Sequence, residues 1–311
     1  MSRLAFRSFA AALGAAFTLG AASAAGAAEP VLAVAYAGSM GALMDRALGP
    51  AIERQAHVQF QGRGAGAYAL AHLLADRKVR ADVFVSITPG PIEVLRKAGL
   101  VDVAVPVAST QMVIAYSPDG PHAAAFRDAA AGRLPWYEVL RRPGVRFGRT
   151  DPTTDPQGRN IVFAMLLAQE YYHQPGLAAA LLGDYQHNAA QIFAEPSLLS
   201  RLQSGQIDAS SGYLSAVLSH KLPYIKLPAQ INLSDPAMQR DWYGRVHFTI
   251  TGADGRPQQL STQPLVFYAA LLKNAADAQS GRAFIELMQG AQGRKMFAEY
   301  GYGAPLGGAL R

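Results

Sequence analysis

The chain has 311 residues, 28 Lys plus Arg against 22 Asp plus Glu, a formal net charge of +6 and no cysteine. Half of its residues are apolar and 16% are charged, which excludes a disordered chain; at roughly 100–200 residues per domain the length suits one large or two medium domains. Without cysteine there is no disulfide framework, thiol nucleophile or thiolate metal site, and the scattered basic residues, paired only briefly as at Arg141-Arg142, argue against nucleic acid.

Residues 1–28 carry Arg3 and Arg7, then an uncharged run of Ala, Leu, Phe and Gly that ends in Ala25-Gly26-Ala27-Ala28 before Glu29-Pro30. This predicts a secretory signal peptide cleaved near Ala27-Ala28 and a periplasmic mature protein. So Ala-rich a run is only weakly apolar, which argues against a membrane anchor, and no later run reaches the roughly 18 apolar residues of a membrane span. Short apolar runs then alternate with helix-period stretches. Strands are expected at 31–36, 57–61 and 82–87, with helices at 41–54 (interrupted by Gly49-Pro50), 67–78 and 91–98. An extended segment follows at 107–116. The middle predicts a strand at 145–148, helices at 156–172 and 197–204, and a strand at 207–209 leading into a helix at 214–220. Strands at 224–231 and 246–251 and helices at 283–289 and 294–300 complete the chain. The expected fold is α/β with two lobes joined by extended crossings.

Several strands run into small-residue junctions that open a helix: Ala37-Gly38-Ser39-Met40, Gly62-Arg63-Gly64-Ala65-Gly66 before Ala67, Ser86-Ile87-Thr88-Pro89-Gly90, and Ser211-Gly212-Tyr213. Such junctions direct free backbone N–H groups and the positive helix end toward one spot, where an anion is the natural ligand. Each Ser also reads as a helix cap of no further consequence. In the segment Gly148 to Arg159, Asp155-Pro156 fits an N-cap and first helical residue, with Gln157 and Gly158 offering amides and Thr150 a hydroxyl. Asp155 either caps or faces the cleft; in the cleft it must pair with a cation, bind a metal centre or be protonated.

With these motifs in this order, joined by Ala81-Asp82-Val83-Phe84-Val85-Ser86, Ile231-Asn232-Leu233-Ser234-Asp235-Pro236 and the pattern of Phe284, Gly293, Phe297 and Tyr300-Gly301-Tyr302, the chain resembles the extracytoplasmic solute-binding proteins of ABC importers, most closely the tungstate- and molybdate-binding branch. The resemblance implies a two-lobe periplasmic-binding-protein fold of type II with the ligand cleft between lobes: 29–108 and 234–311 as lobe I, 109–233 as lobe II. It implies oxyanion capture by Gly38, Ser39, Met40, Gly66, Ala67, Ser86, Ile87 and Thr88 from one lobe, and by Thr150, Asp155, Gln157, Gly158, Gly212 and Tyr213 from the other. Two departures stand out. Ala67 occupies a position where many tungstate binders carry a small hydroxyl residue. Gly212 falls where the six-coordinate branch places a glutamate that ligates the metal beside the aspartate. A single carboxylate favours a tetrahedral dianion held by hydroxyls and N–H groups, with Asp155 as a cap and otherwise a possible ligand to a tungsten or molybdenum centre.

Gly62 to Ala67 also matches a dinucleotide-binding fingerprint, but Asp82, twenty residues on, opens the next strand instead of closing it. No Gly-x-Ser-x-Gly elbow and no helical zinc pair among the seven histidines is present. Arg63, Arg149 and Arg159 adjoin the proposed ligand loops, as surface groups or to offset the ligand's charge. The expectation is a monomeric, non-enzymatic receptor without cofactor that closes on an oxyanion and delivers it to an ABC permease. Sulfate or another small anion as ligand, or an exported enzyme or sensor component on the same fold, are the alternatives.

Overall fold

The computed structural model describes residues 30–252 and 254–311; the expected signal peptide lies outside the described residues. Two mixed sheets organise the chain. The first has the order β2-β1-β3-β11-β4, built from β1 (Val31–Ala37), β2 (Gln59–Ala65), β3 (Val83–Ile87), β4 (Val105–Ser109) and a returning strand, Val266–Leu271. The second has the order β6-β7-β5-β8, from β5 (Met112–Tyr116), β6 (Phe147–Gly148), β7 (Ala209–Tyr213) and β8 (Tyr224–Lys226). A hairpin of β9 (His247–Thr251) and β10 (Pro257–Ser261) precedes the returning strand, which is β11. The chain leaves the first sheet at Ser109 and enters the second at Met112, crossing through Thr110-Gln111.

The strands β1, β3, β5 and the returning strand are near-continuous apolar runs buried inside their layers. Fully buried Val83, Phe84, Val85 and Ile87 in β3, and Met112, Val113, Ile114 and Ala115 in β5, mark the two centres. The hairpin packs on the second sheet's layer: the Phe248 ring stands 4.9 Å from Phe163 and 5.8 Å from Tyr185. Gln186 closes this contact, donating to the Thr251 carbonyl (3.3 Å) and accepting from the Thr251 N–H (2.9 Å).

Four local expectations change. Gly49-Pro50 does not interrupt the first helix: a wide π turn, Met44–Leu48, carries it into Gly49–Ala56, so that no N–H is demanded of Pro50. Gly62-Arg63-Gly64-Ala65 is not a loop but the edge strand β2, parallel to β1. Its glycines lie under Tyr36: a Cβ on Gly62 or Gly64 would come within 2.9 or 2.8 Å of that ring, so the spacing serves aromatic packing and not a phosphate. Ser211-Gly212-Tyr213 is likewise strand, paired antiparallel with β5. The strand expected at 224–231 ends at Lys226, because Pro228 precedes a short helix, Ala229–Asn232.

Candidate functional site

Four chain segments meet between the two sheet layers. From the first come the end of β1 at Gly38-Ser39 and the start of helix Ala67–Ala75. From the second come the turn 149–158, which opens helix Pro156–Tyr171, and the start of helix Glu195–Gln203. Backbone crosses the junction at close range. The Gly38 N–H donates to Glu195 Oε2 (2.7 Å), and the Ala69 N–H donates to the Thr154 carbonyl (3.1 Å). A Cβ on Gly66 would lie 2.9 Å from that same carbonyl and 3.4 Å from Asp155 Cβ, so the close approach requires glycine there.

At this junction sit four buried oxygens outside hydrogen-bond geometry, Ser39 Oγ, Thr150 Oγ1, Asp155 Oδ2 and Glu195 Oε1, with the Thr150 hydroxyl beside Asp155 and the Ser39 hydroxyl beside Glu195. Buried polar atoms are nearly always satisfied, so four orphans in one place need a common explanation. Asp155 resolves its two readings by dividing them. Its Oδ1 caps the helix by accepting the Gln157 N–H (2.8 Å), while Oδ2 is left for the cleft. Glu195 divides in the same way, with Oε2 on Gly38 and Oε1 unpartnered.

Burial is the main cause that raises both acids, Asp155 to about 7 and Glu195 well above its ordinary range, and the nearby charge of Asp155 raises Glu195 further. The opposing influences are weaker: the Gln157 N–H and the neighbouring Thr150 hydroxyl at Asp155, and the Ser39 and Gly38 groups at Glu195. No side-chain cation is bonded to either carboxyl among the described residues. Each acid therefore resists ionisation, because two bare carboxylates so deeply buried repel one another.

Where the sequence led to the expectation of a single carboxylate, the structure places another buried acid beside Asp155. The second acid is not at Gly212 but at Glu195, forty residues after Asp155. Gly212 lies inside β7 and is held to glycine by Val217, whose Cγ2 would be 2.6 Å from a Cβ. Of the other expected residues, Met40 and Ile87 are core side chains, and the Ser86 hydroxyl donates to the Ile87 carbonyl (2.9 Å). Thr88 precedes helix Pro89–Lys97 at φ +64° without a capping hydrogen bond, its hydroxyl is also unpartnered, and it lines a separate groove with Tyr68, Asn160 and Gln263. Ala67 is fully buried in the first turn of its helix. Gln157 reaches Ser211 through Nε2 (3.4 Å), and the Tyr213 hydroxyl accepts from Asn160 (2.9 Å). Gly158 faces the turn instead of the cleft: a Cβ would stand 2.6 Å from Thr150 O, Asp151 C and Pro152 N. Gly158→Ala is therefore expected to cost about 1–3 kcal/mol of stability, measured by urea denaturation; an unchanged midpoint would mean that the turn gives way freely.

Of the three arginines adjoining the loops, Arg63 is exposed on β2 and the other two bond to backbone carbonyls. Arg159 donates to the Pro152 carbonyl (2.7 Å) and stacks 3.5 Å over the Tyr68 ring, and Arg149 is fully buried among carbonyls. Glu195 is the residue that pattern reading missed. Its signal was an isolated acid in the apolar run Ile192-Phe193-Ala194 before Pro196, at the first helical turn, where an ordinary reading stops at dipole complementation.

A model of the bacterial extracellular solute-binding protein family matches residues 32–303. An uncharacterized solute-binding protein of Petrotoga mobilis is 31% identical over 258 residues, covering 80% of this chain and 78% of its own. The molybdate/tungstate-binding protein WtpA of Thermococcus kodakarensis is 28% identical over 260 residues, 78% of this chain and 72% of its own. The periplasmic molybdate-binding protein of Azotobacter vinelandii shares the fold, with a TM-score of 0.60 at 15% identity over 88% of this chain and 100% of that one. No helix among the described residues is long and apolar enough to cross a membrane. Two sheet layers meeting at a polar junction and a family match over nearly the whole described chain agree: this protein belongs to the bacterial extracellular solute-binding proteins.

Proposed function

We propose that the protein is the periplasmic receptor of an ABC importer for tungstate or molybdate. In this reading it works as a monomer without turnover and passes its cargo to a membrane permease. The observation that carries the ligand class is the set of four orphaned buried oxygens, contributed from both sheet layers and including two protonatable carboxyls. A tetrahedral oxyanion brings acceptors to the Ser39 and Thr150 hydroxyls. The protons on Asp155 and Glu195 offset its two negative charges, by hydrogen bonding or by passing to oxo groups as carboxylate oxygens add to the metal. Tungsten and molybdenum centres can widen their oxygen shell in this way, whereas sulfur in sulfate cannot. Two carboxyls thus favour the metal oxyanions over sulfate and phosphate.

The two sheet layers act as lobes that close on the ligand. Gly38 to Glu195 and Ala69 to Thr154 are contacts of the closed form, and a ligand that bridges the same segments shifts the population toward it. Isothermal titration with tungstate, molybdate, sulfate and phosphate tests the reading. The expected result is tight one-to-one binding of tungstate and molybdate, with sulfate weaker by on the order of 100-fold or more. Equal or tighter binding of sulfate would refute the role given to the carboxyls, and heat from none of the four would refute the oxyanion.

A further inference from the structure

Arg149 is the most bulky fully buried side chain among the described residues, and its guanidinium bonds to two carbonyls and an amide oxygen, not to a carboxylate. Burial pushes its pKa down to about 10, with Asp151, Asp184 and Tyr185 only partly compensating. An arginine in that setting is costly unless its geometry is used. Its guanidinium donates three ways into one segment: Nη2 to the Asp184 carbonyl (2.8 Å), Nη1 to the Tyr185 carbonyl (2.8 Å) and Nε to Gln191 Oε1 (3.2 Å). The backbone repeats the attachment. The Arg149 N–H donates to the Gln191 carbonyl (2.7 Å), the Phe193 N–H donates to the Arg149 carbonyl (2.9 Å), and residue 149 bridges Ile192 in parallel. Gln191 is in turn pinned by Nε2 to the Leu181 carbonyl (2.8 Å).

The segment so gathered, 184–193, has little regular structure of its own, yet it delivers Glu195 two residues later. On its other side Arg149 is bonded directly to Thr150, and the turn beginning there carries Asp155. One residue therefore fixes the spacing between the two strands of chain that bring the carboxyls together. We infer that Arg149 is a positioning residue for the ligand: through Gln191 and the 184–193 segment it holds Glu195 at the reach that the oxyanion requires. The inference rests on the reading of Asp155 and Glu195 as ligand groups. Lysine cannot replace the fork, because an ammonium on a flexible stem does not present the three directed donors of the planar guanidinium.

The test is a double-variant cycle on tungstate binding, with Arg149→Lys and, separately, Gln191→Met, each in the wild-type and in the Glu195→Ala background. Thermal unfolding checks that each variant folds, and Gln191→Met, which keeps Arg149 and removes only the acceptor of its Nε, serves should Arg149→Lys fail to fold. Either change is expected to weaken tungstate about tenfold in the wild-type background and less than about twofold beside Glu195→Ala, since contacts acting through one group are not additive. The same loss in both backgrounds would show a general structural effect and overturn the inference, as would wild-type affinity in both variants. Wild-type protein that binds no tungstate would overturn the functional reading and the positioning role with it, whereas tight wild-type binding with additive losses would overturn the positioning role alone.

Discussion

Glu195→Gln is expected to weaken tungstate and molybdate binding by on the order of 100-fold while making the empty protein more stable at pH 8. The two effects share one cause. The amide oxygen still accepts the Gly38 N–H, so the junction between the layers is kept, but the buried ionisable group is gone. What helps the empty protein removes a group able to take up charge, donate a proton or add to a metal centre. Titration calorimetry and denaturant midpoints measure the two effects separately. Lower affinity together with lower stability would show that Glu195 holds the layers together and has no special bearing on the ligand.

The empty protein is expected to lose stability as the pH rises from about 4 to about 8. Asp155 moves from 3.8 to about 7, and Glu195 rises too, so the folded chain keeps protons that the unfolded chain releases. A raised carboxyl pKa gives a contribution fully present below the unfolded value and lost as the pH climbs through the folded one. For Asp155 the shift corresponds to about 4 kcal/mol at most, at ~1.4 kcal/mol per unit. Asp208, held low by Arg146, behaves oppositely but only in the acid range. His220, whose pKa burial lowers, also pulls the other way below its ordinary 6.5. The pair's share is therefore the difference between wild type and the Asp155→Asn, Glu195→Gln double variant, followed by urea denaturation across this range. Parallel pH profiles for the two proteins would mean that the carboxyls are ionised or solvated in the folded state. Saturating tungstate should raise stability across the range and extend the decline to higher pH, because the bound dianion keeps on the folded chain the protons that the unfolded chain releases.

Much of the architecture was legible because it is local. Apolar runs of strand length at 31–36 and 82–87, and the helix from Pro156, rest on period and on capping chemistry that a few neighbouring residues carry. The omissions are of two kinds. β11, with the sequence Val-Phe-Tyr-Ala-Ala-Leu, sits antiparallel between β3 and β4, and a short apolar run fits a buried helix segment as well as a central strand. Its identity depends on partners some 160 to 180 residues earlier in the chain. Gly62-x-Gly64 and Ser211-Gly212 carry loop chemistry in their composition, yet both are strand, because the glycines make room for Tyr36 and Val217. A glycine that serves close packing and one that serves a turn look the same in a sequence.

The candidate site divides along the same line. Gly38-Ser39 and Asp155-Pro156-Gln157 stand out in the sequence, since hydroxyls, caps and small residues before a helix report their own local geometry. Whether Asp155 caps or faces the cleft was open, and the fold answers with one oxygen for each role. Glu195 could be found only in three dimensions, because its importance comes from proximity to Asp155 and Gly38, forty and 157 residues away along the chain. The sequence by itself determined the class of protein, the two-layer α/β organisation and the helix mouths at which an anion is welcome, all consequences of short-range pattern. Only the tertiary structure decided that two buried acids meet where the layers join, because burial and the distance between remote segments are properties of the packed chain and of no stretch within it.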